Sequence, residues 1–384
     1  MRSVRAVLAI LATATVLSAQ PTDAGEPRAV AQDPDSPLGR APGVGGLTDV
    51  RWRDSCDAAD RGLAWLVEAQ HEDGYWEGTV GHKQQDSYIA LRDPAVNRSL
   101  GEGHVGVTAL CGMALLAGGH LPDRGEYGDS LRSCVDYLLE HITDTGLVTD
   151  GGTRMYSHAF ATLFLAEIAG MDPDDRIRTG LERAVHLIVD SQNQQGGWRY
   201  NAFSPEADMS VTVCQLQALR AARNIGLRIP KETIDDAVDY VLRARTRQGL
   251  FYYRTQGRNS RRKDREFAIN AAAATALLTA GVLDRELQEP ILEFLRRDYE
   301  QRLSRYYPDH FYFWYGNYYA CQAFFHAGDE RFSAYHRRVV EDLLPRQQSD
   351  GRWINSVGPG DAFSTAVASI LLQVPKQYLP IFQR

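Results

Sequence analysis

From residue 55 onward the chain alternates between two kinds of apolar pattern. The first is amphipathic. In the stretches near 55–70, 126–142, 177–192, 231–246, 286–303 and 332–347, apolar residues recur at i, i+3, i+4 and i+7 with charges opposite, as Ala184, Leu187 and Ile188 stand against Glu182, Arg183 and Asp190. Such helices lie on a core and turn their other face to water. The second kind is apolar or small on nearly every face, in stretches near 104–117, 157–169, 208–225, 266–280, 310–327 and 361–374, with Phe267 to Leu278 the plainest case. A helix that is hydrophobic all round is buried, and alanine lets its neighbours approach closely. The 3.6-residue period holds throughout and no segment sustains a period of two. Six outer and inner pairs, recurring roughly every 50 residues, predict a helical array rather than two unrelated domains.

The link from outer to inner helix carries a motif. Gln70 to Trp76, Gln192 to Trp198 and Gln347 to Trp353 all read QxxxGxW; Arg245 to Phe251 is a degenerate copy, and those near 142–148 and 301–307 are eroded further. Glycine supplies the left-handed residue that ends a helix, glutamine satisfies frayed backbone groups, and the indole covers the helix end. This is first a fold-making motif.

With three copies in register, the chain resembles the squalene–hopene cyclase and prenyltransferase superfamily over residues 55–384. The resemblance implies an all-α fold, an α/α toroid of six hairpins with an inner ring of parallel helices and an outer ring of amphipathic ones. Met155 to Glu167, Gly197 to Tyr200 and Asp208 to Thr212 look like the exported bacterial repeat proteins of that superfamily. Its cyclases use a DxDD acid motif, which Asp172 to Asp175 match literally. Here, however, the four residues fall in an inner-to-outer turn, where Pro173 and the acids read as helix initiation. The zinc pattern of protein prenyltransferases is missing, since Asp208 and Cys214 have the wrong spacing, and so is the GCGEQ thioester sequence of complement-like toroids.

The N-terminus changes the picture. Arg2 and Arg5 precede an uncharged run, Ala6 to Ala19, too short to span a bilayer, so residues 1–19 are expected to be a secretory signal peptide. Its removal takes the formal net charge from −7 to −9. Residues 20–50, rich in Pro, Gly, Asp and Ala, are expected to form a disordered linker, leaving 51–384 as one toroid domain. The protein is thus expected to be exported, to the periplasm or the exterior. The acidic balance, 42 Lys and Arg against 49 Asp and Glu, argues against nucleic acid as a partner. Cys56, Cys111, Cys134, Cys214 and Cys321 each fall inside an apolar helical pattern and read as small buried hydrophobes. No local metal motif, cofactor motif, transmembrane segment or partner subunit is implied.

The outer-to-inner connections are the long ones, notably 71–103, 194–207 and 247–265, and long loops gathered at one rim mark the functional end of a scaffold. A ligand is expected to enter there beneath the 71–103 loop. At that rim the sequence places His104, Tyr156, His158, Asp208, Glu266, Asp309, His310 and Asp361. Tyr156, His158, Asp208 and Asp361 are the acid and base candidates. For Asp208 and Asp361 helix capping is the competing reading. His104, Glu266 and Asp309, with Arg199 and Tyr200 after Trp198, are candidate ligand contacts, as are Trp314, Tyr315 and Tyr318 in the aromatic fifth inner helix. The stretch Arg254 to Arg265 carries six cations and suits a diphosphate or a uronate. The expected function is binding of a small lipid or glycan at this rim. The alternatives are a terpenoid-cyclase-like enzyme and a polysaccharide lyase or hydrolase.

Overall fold

The computed structural model describes residues 47–78, 83–84, 87–88, 103–150, 153–255 and 266–382. The expected signal peptide, most of the linker, most of the 71–103 loop and the basic stretch beyond Thr255 lie outside the described residues.

Twelve helices longer than ten residues follow one another among the described residues. The outer ones are α1 (Asp49–Glu68), α3 (Gly128–Glu140), α5 (Asp175–Asp190), α7 (Lys231–Arg243), α9 (Arg285–Asp298) and α11 (Asp329–Leu343). The inner ones are α2 (Val105–Ala117), α4 (Met155–Ala169), α6 (Met209–Asn224), α8 (Phe267–Thr279), α10 (Phe311–His326) and α12 (Asp361–Gln373). A two-residue hairpin, Lys83–Gln84 against Ser87–Tyr88, is the only strand pairing among them. The first helix starts earlier than its apolar pattern shows, because Thr48 caps it through a hydrogen bond from the Arg51 amide. Asp49 and Val50 therefore belong to the domain rather than to the expected linker.

Each inner helix packs on the next, α2 on α4, α6, α8, α10 and α12 in turn, and α12 returns to α2. The outer helices lie in the grooves, with α1 against both α12 and α2. The array is a closed α/α toroid. Every residue of α2 is buried, as the all-round apolar pattern requires.

The QxxxGxW turns fasten the layers identically. In each, the Gln amide donates to the turn's own glycine carbonyl and to a carbonyl of the neighbouring outer helix: Gln70 to Ser130, Gln192 to Thr233 and Gln347 to Ala58, all within 3.0 Å. The last pair closes the ring, joining the final turn to α1. Gly351 has φ 100°, and a Cβ there would lie 2.4 Å from the Arg61 carbonyl oxygen, so both conformation and space demand glycine. Each indole N–H donates to the end of the preceding outer helix, at Leu66, Ile188 and Leu343.

A further tie runs inward. The amides of Trp76, Trp198 and Trp353 donate to Thr108, Thr212 and Thr365 near the start of the following inner helix, at 3.0–3.1 Å. In the degenerate turns Phe251 donates to Asn270 (2.9 Å) and Val148 to Nδ1 of His158 (3.1 Å). One buried acceptor in the first turn of the inner helix, three or four residues past its first residue, therefore recurs in five of the six repeats. Leaving such a buried amide unpaired costs about 1–3 kcal/mol.

Candidate functional site

Because every inner helix follows an outer-to-inner connection, all six start at the same end of the ring. Among the described residues, the most elaborate structure at that end is built on the connection from Trp198 to α6. Its two ends are fixed by the buried Trp198 and by Asp208, whose side chain is fully buried. Asp208 caps α6, its Oδ1 accepting from the Val211 amide (3.0 Å) and the Ser210 hydroxyl (2.6 Å). Its Oδ2 accepts from Arg199 (2.9 Å). Arg199 also pairs with Glu206 at 3.5 Å, and Arg254 reaches the same carboxylate at 2.8 Å. Among the described residues, two arginines thus face two carboxylates, and these four charges balance.

The Arg199 guanidinium lies 4.8 Å over the ring of Tyr200. Tyr200 stacks on Tyr156 (6.1 Å) and its hydroxyl meets that of Tyr253 at 2.5 Å. Tyr156 in turn meets the edge of Tyr315 at 6.2 Å. Since α4 and α10 stand opposite in the ring, this contact crosses its diameter. One turn deeper Phe160 and Tyr318 cross it again at 5.7 Å. Between α6 and α10, Cys214 contacts the Tyr319 hydroxyl at 3.0 Å, and Gln217 donates to Gln322 at 2.5 Å. The middle of the ring is therefore bridged by side chains, and the tyrosines form a cup at its mouth. Burial pushes the phenols of Tyr156, Tyr253, Tyr315, Tyr318 and Tyr319 up, and the Cys214 thiol up to about 12. All keep their protons at neutral pH.

Of the residues singled out in the sequence, Tyr156, Arg199, Tyr200, Asp208 and Tyr315 meet in this cup, with Tyr318 beneath it. The others do not join them. His158 is wholly buried on the outer side of α4, its Nδ1 taken by the Val148 amide and its Nε2 donating to the Ala184 carbonyl (3.2 Å). This fixes a neutral tautomer, and burial pushes its pKa down to about 4. It holds the repeat's acceptor position, the place of Thr108 and Thr212. His104 caps α2 by accepting from the Val107 amide at 3.1 Å, and burial lowers it to about 4 as well. Asp361 is held within its own loop by the Asn355 amide (2.9 Å) and Arg352 (3.2 Å). Glu266 stands at the same helix-start position of α8, half-buried, and Asp309 is exposed, with its backbone carbonyl accepting from Ser356. Trp314 is buried beside Phe313, 4.9 Å away, rather than within the cup. His104, Asp208, Glu266 and Asp361 thus share one recurring position, four residues before the buried acceptor, and of the four His104 and Asp208 cap the helix that follows. Only Asp208 adds a partner from the cup.

Tyr253, Phe160, Cys214 and Tyr319 were not singled out for the site. Tyr253 follows the degenerate turn as Tyr200 follows Trp198, and that offset from the repeat is the signal that marks it. The Asp172 to Asp175 stretch lies at the other end of the ring, where Asp174 caps α5 and Arg132 binds Asp172 at 2.6 Å. Among the described residues no group of three His, Cys, Asp or Glu side chains is disposed to hold a metal, and no helix is long and apolar enough to cross a membrane.

Among solved structures the chain is similar to a variant of the type II terpene cyclase MstE from Scytonema in complex with geranylgeranyl dihydroxybenzoate. The identity is 16% and the TM-score 0.55, over 87% of this chain and all of that one. It is also similar to an inactive variant of an α-1,6-mannanase of a Salegentibacter species in complex with α-1,6-mannotriose. There the identity is 8% and the TM-score 0.61, over 84% of this chain and 99% of that one. No protein-family model matches the sequence, and no curated protein matches it. These likenesses show the fold, an α/α toroid shared by proteins of different chemistry.

Proposed function

We propose that the protein is an exported ligand-binding toroid of the QW-repeat kind whose ligand docks on the tyrosine cup at the long-loop mouth. One observation carries this reading: Tyr156, Tyr200, Tyr253 and Tyr315 converge, from two inner helices and two connections, beside a matched set of Arg and carboxylate groups. Ring faces supply apolar contact, while hydroxyls and ion pairs supply orientation, the usual division of labour in a small-molecule site. Phenols that keep their protons suit hydrogen bonding better than proton transfer, and both His104 and His158 are committed to backbone groups.

An isoprenoid ligand is the second reading, favoured by the aromatic pair Phe160 and Tyr318 beneath the cup. Against cyclisation stand the side chains that cross the ring and the capping role of Asp174. Native mass spectrometry of the purified protein tests the proposal, with a bound mass expected in the wild type and lost in Tyr156→Ala/Tyr200→Ala. The mass identifies lipid or glycan, and a bound mass retained by the double variant would refute the cup.

A further inference from the structure

We propose that Phe203 is a stacking platform extending the tyrosine cup outward, and that the ligand is a neutral oligosaccharide with one ring in the cup and the next on Phe203. This rests on the cup being the ligand site.

Phe203 is 66% exposed and its backbone has φ 59°. A bulky residue in the left-handed region is strained, and an exposed phenyl ring gains nothing from folding. Both costs fall on one residue, and the surrounding structure maintains them. Asn193 donates from below to the carbonyls of Ser204 (3.1 Å) and Glu206 (2.7 Å), Gln195 donates to Pro205 (3.3 Å), and the Arg199–Asp208 pair ties the loop's ends together. The loop is thus braced to hold its tip outward. Tyr306 and Ile354, also exposed on this rim, have ordinary negative φ. Phe203 lies three residues from Tyr200, its Cα at most about 10 Å away along an extended chain, a span that a short oligosaccharide covers.

The surroundings decide the ligand class. Among the described residues beside the platform are hydroxyls and charges in matched pairs, Arg199 and Arg254 with Glu206 and Asp208. An anionic membrane selects unneutralised cations, and a hydrocarbon chain gains nothing from an array of donors and acceptors. A pyranose presents one C–H face to an aromatic ring and hydroxyls at its edge, so it matches both features at once.

The test uses full-length protein and a panel of neutral α- and β-linked gluco-, manno- and galacto-trisaccharides with their monosaccharides, measured by calorimetry, with anionic vesicles as a separate arm. At least one trisaccharide is expected to bind, with Phe203→Ala and Phe203→Gly weakening it about 3- to 10-fold and leaving the monosaccharide unchanged. Phe203→Gly is also expected to raise Tm by about 1–3 °C, because glycine relieves the strain. A trisaccharide bound equally well by both variants overturns the platform and leaves the cup standing. No sugar binding, with a native adduct still lost in Tyr200→Ala or with vesicle binding instead, overturns the ligand class. An adduct retained in Tyr200→Ala overturns the cup and the platform together.

Discussion

Two adjoining segments, Gln192 to Trp198 and Arg199 to Asp208, are built on opposite principles. The first recurs: its glutamine, glycine and indole make the same hydrogen bonds at Gln70 to Trp76 and at Gln347 to Trp353. The second is not repeated in full among the described connections, where only its Arg199–Asp208 pair has a counterpart, in Arg352–Asp361. It spends ten residues on a salt-bridged loop with an outward phenylalanine, where the connection before α10 needs four residues, 307–310. What repeats makes the ring, and what departs from the repeat is where a ligand is to be sought. His158 shows the value of the distinction: as a lone histidine it reads as an acid or base, yet at its repeat position it is the counterpart of a threonine.

The contrast breaks if mutations in the turn alter the ligand or mutations in the cup alter the fold. The largest effect is expected from Trp198→Ala, which removes a wholly buried indole and costs about 3–5 kcal/mol in urea unfolding. Gly196→Ala is expected to come close, since φ is 81° and the added Cβ would sit 2.4 Å from the Asp236 carbonyl oxygen. Next is His158→Ala, which strands the Val148 amide and the Ala184 carbonyl and costs about 2–4 kcal/mol, with ligand affinity unchanged. His158→Asn should recover part of that loss, as Asn270 serves the same position in α8.

The dependence of Tm on pH is the third effect. His158 and His336 are buried and lowered from 6.5 to about 4, so between these values the unfolded chain binds more protons than the native one. Their stability contribution is whole above 6.5 and is lost as pH falls toward 4, by about 1–2 kcal/mol each at pH 5. Glu167 is raised from 4.5 to about 8, and its contribution is lost in the opposite direction, as pH rises from 4.5 through 8. Together these groups place the stability maximum near pH 6.5, and Glu167→Gln should flatten the alkaline side. The smallest effect is expected from Tyr200→Phe, which loses one hydroxyl contact with Tyr253, about 1 kcal/mol or less, and weakens the ligand measurably.

Much of the ring was legible in the sequence because its determinants are local. Helix periodicity, the glycine that ends each turn and the indole ten residues past its acceptor are all short-range. The start of α1 was not, since Asp49 to Arg53 carry few apolar residues and the Thr48 cap is a single hydrogen bond. The cup was legible only in its members. That Tyr156 meets Tyr315, about 160 positions away, follows from α4 and α10 standing opposite in a closed ring, which no local pattern encodes. The role of His158 emerges only by aligning the inner-helix starts, where Thr108, Thr212, Asn270 and Thr365 fall in step with it.

The most direct measurement is native mass spectrometry on three proteins side by side: the wild type, His158→Asn and Tyr156→Ala/Tyr200→Ala, each first shown to be folded by circular dichroism. A ligand held at the cup gives the same bound mass in the wild type and in His158→Asn, and none in the double variant. A bound mass that survives in the double variant, or disappears in His158→Asn, would contradict it.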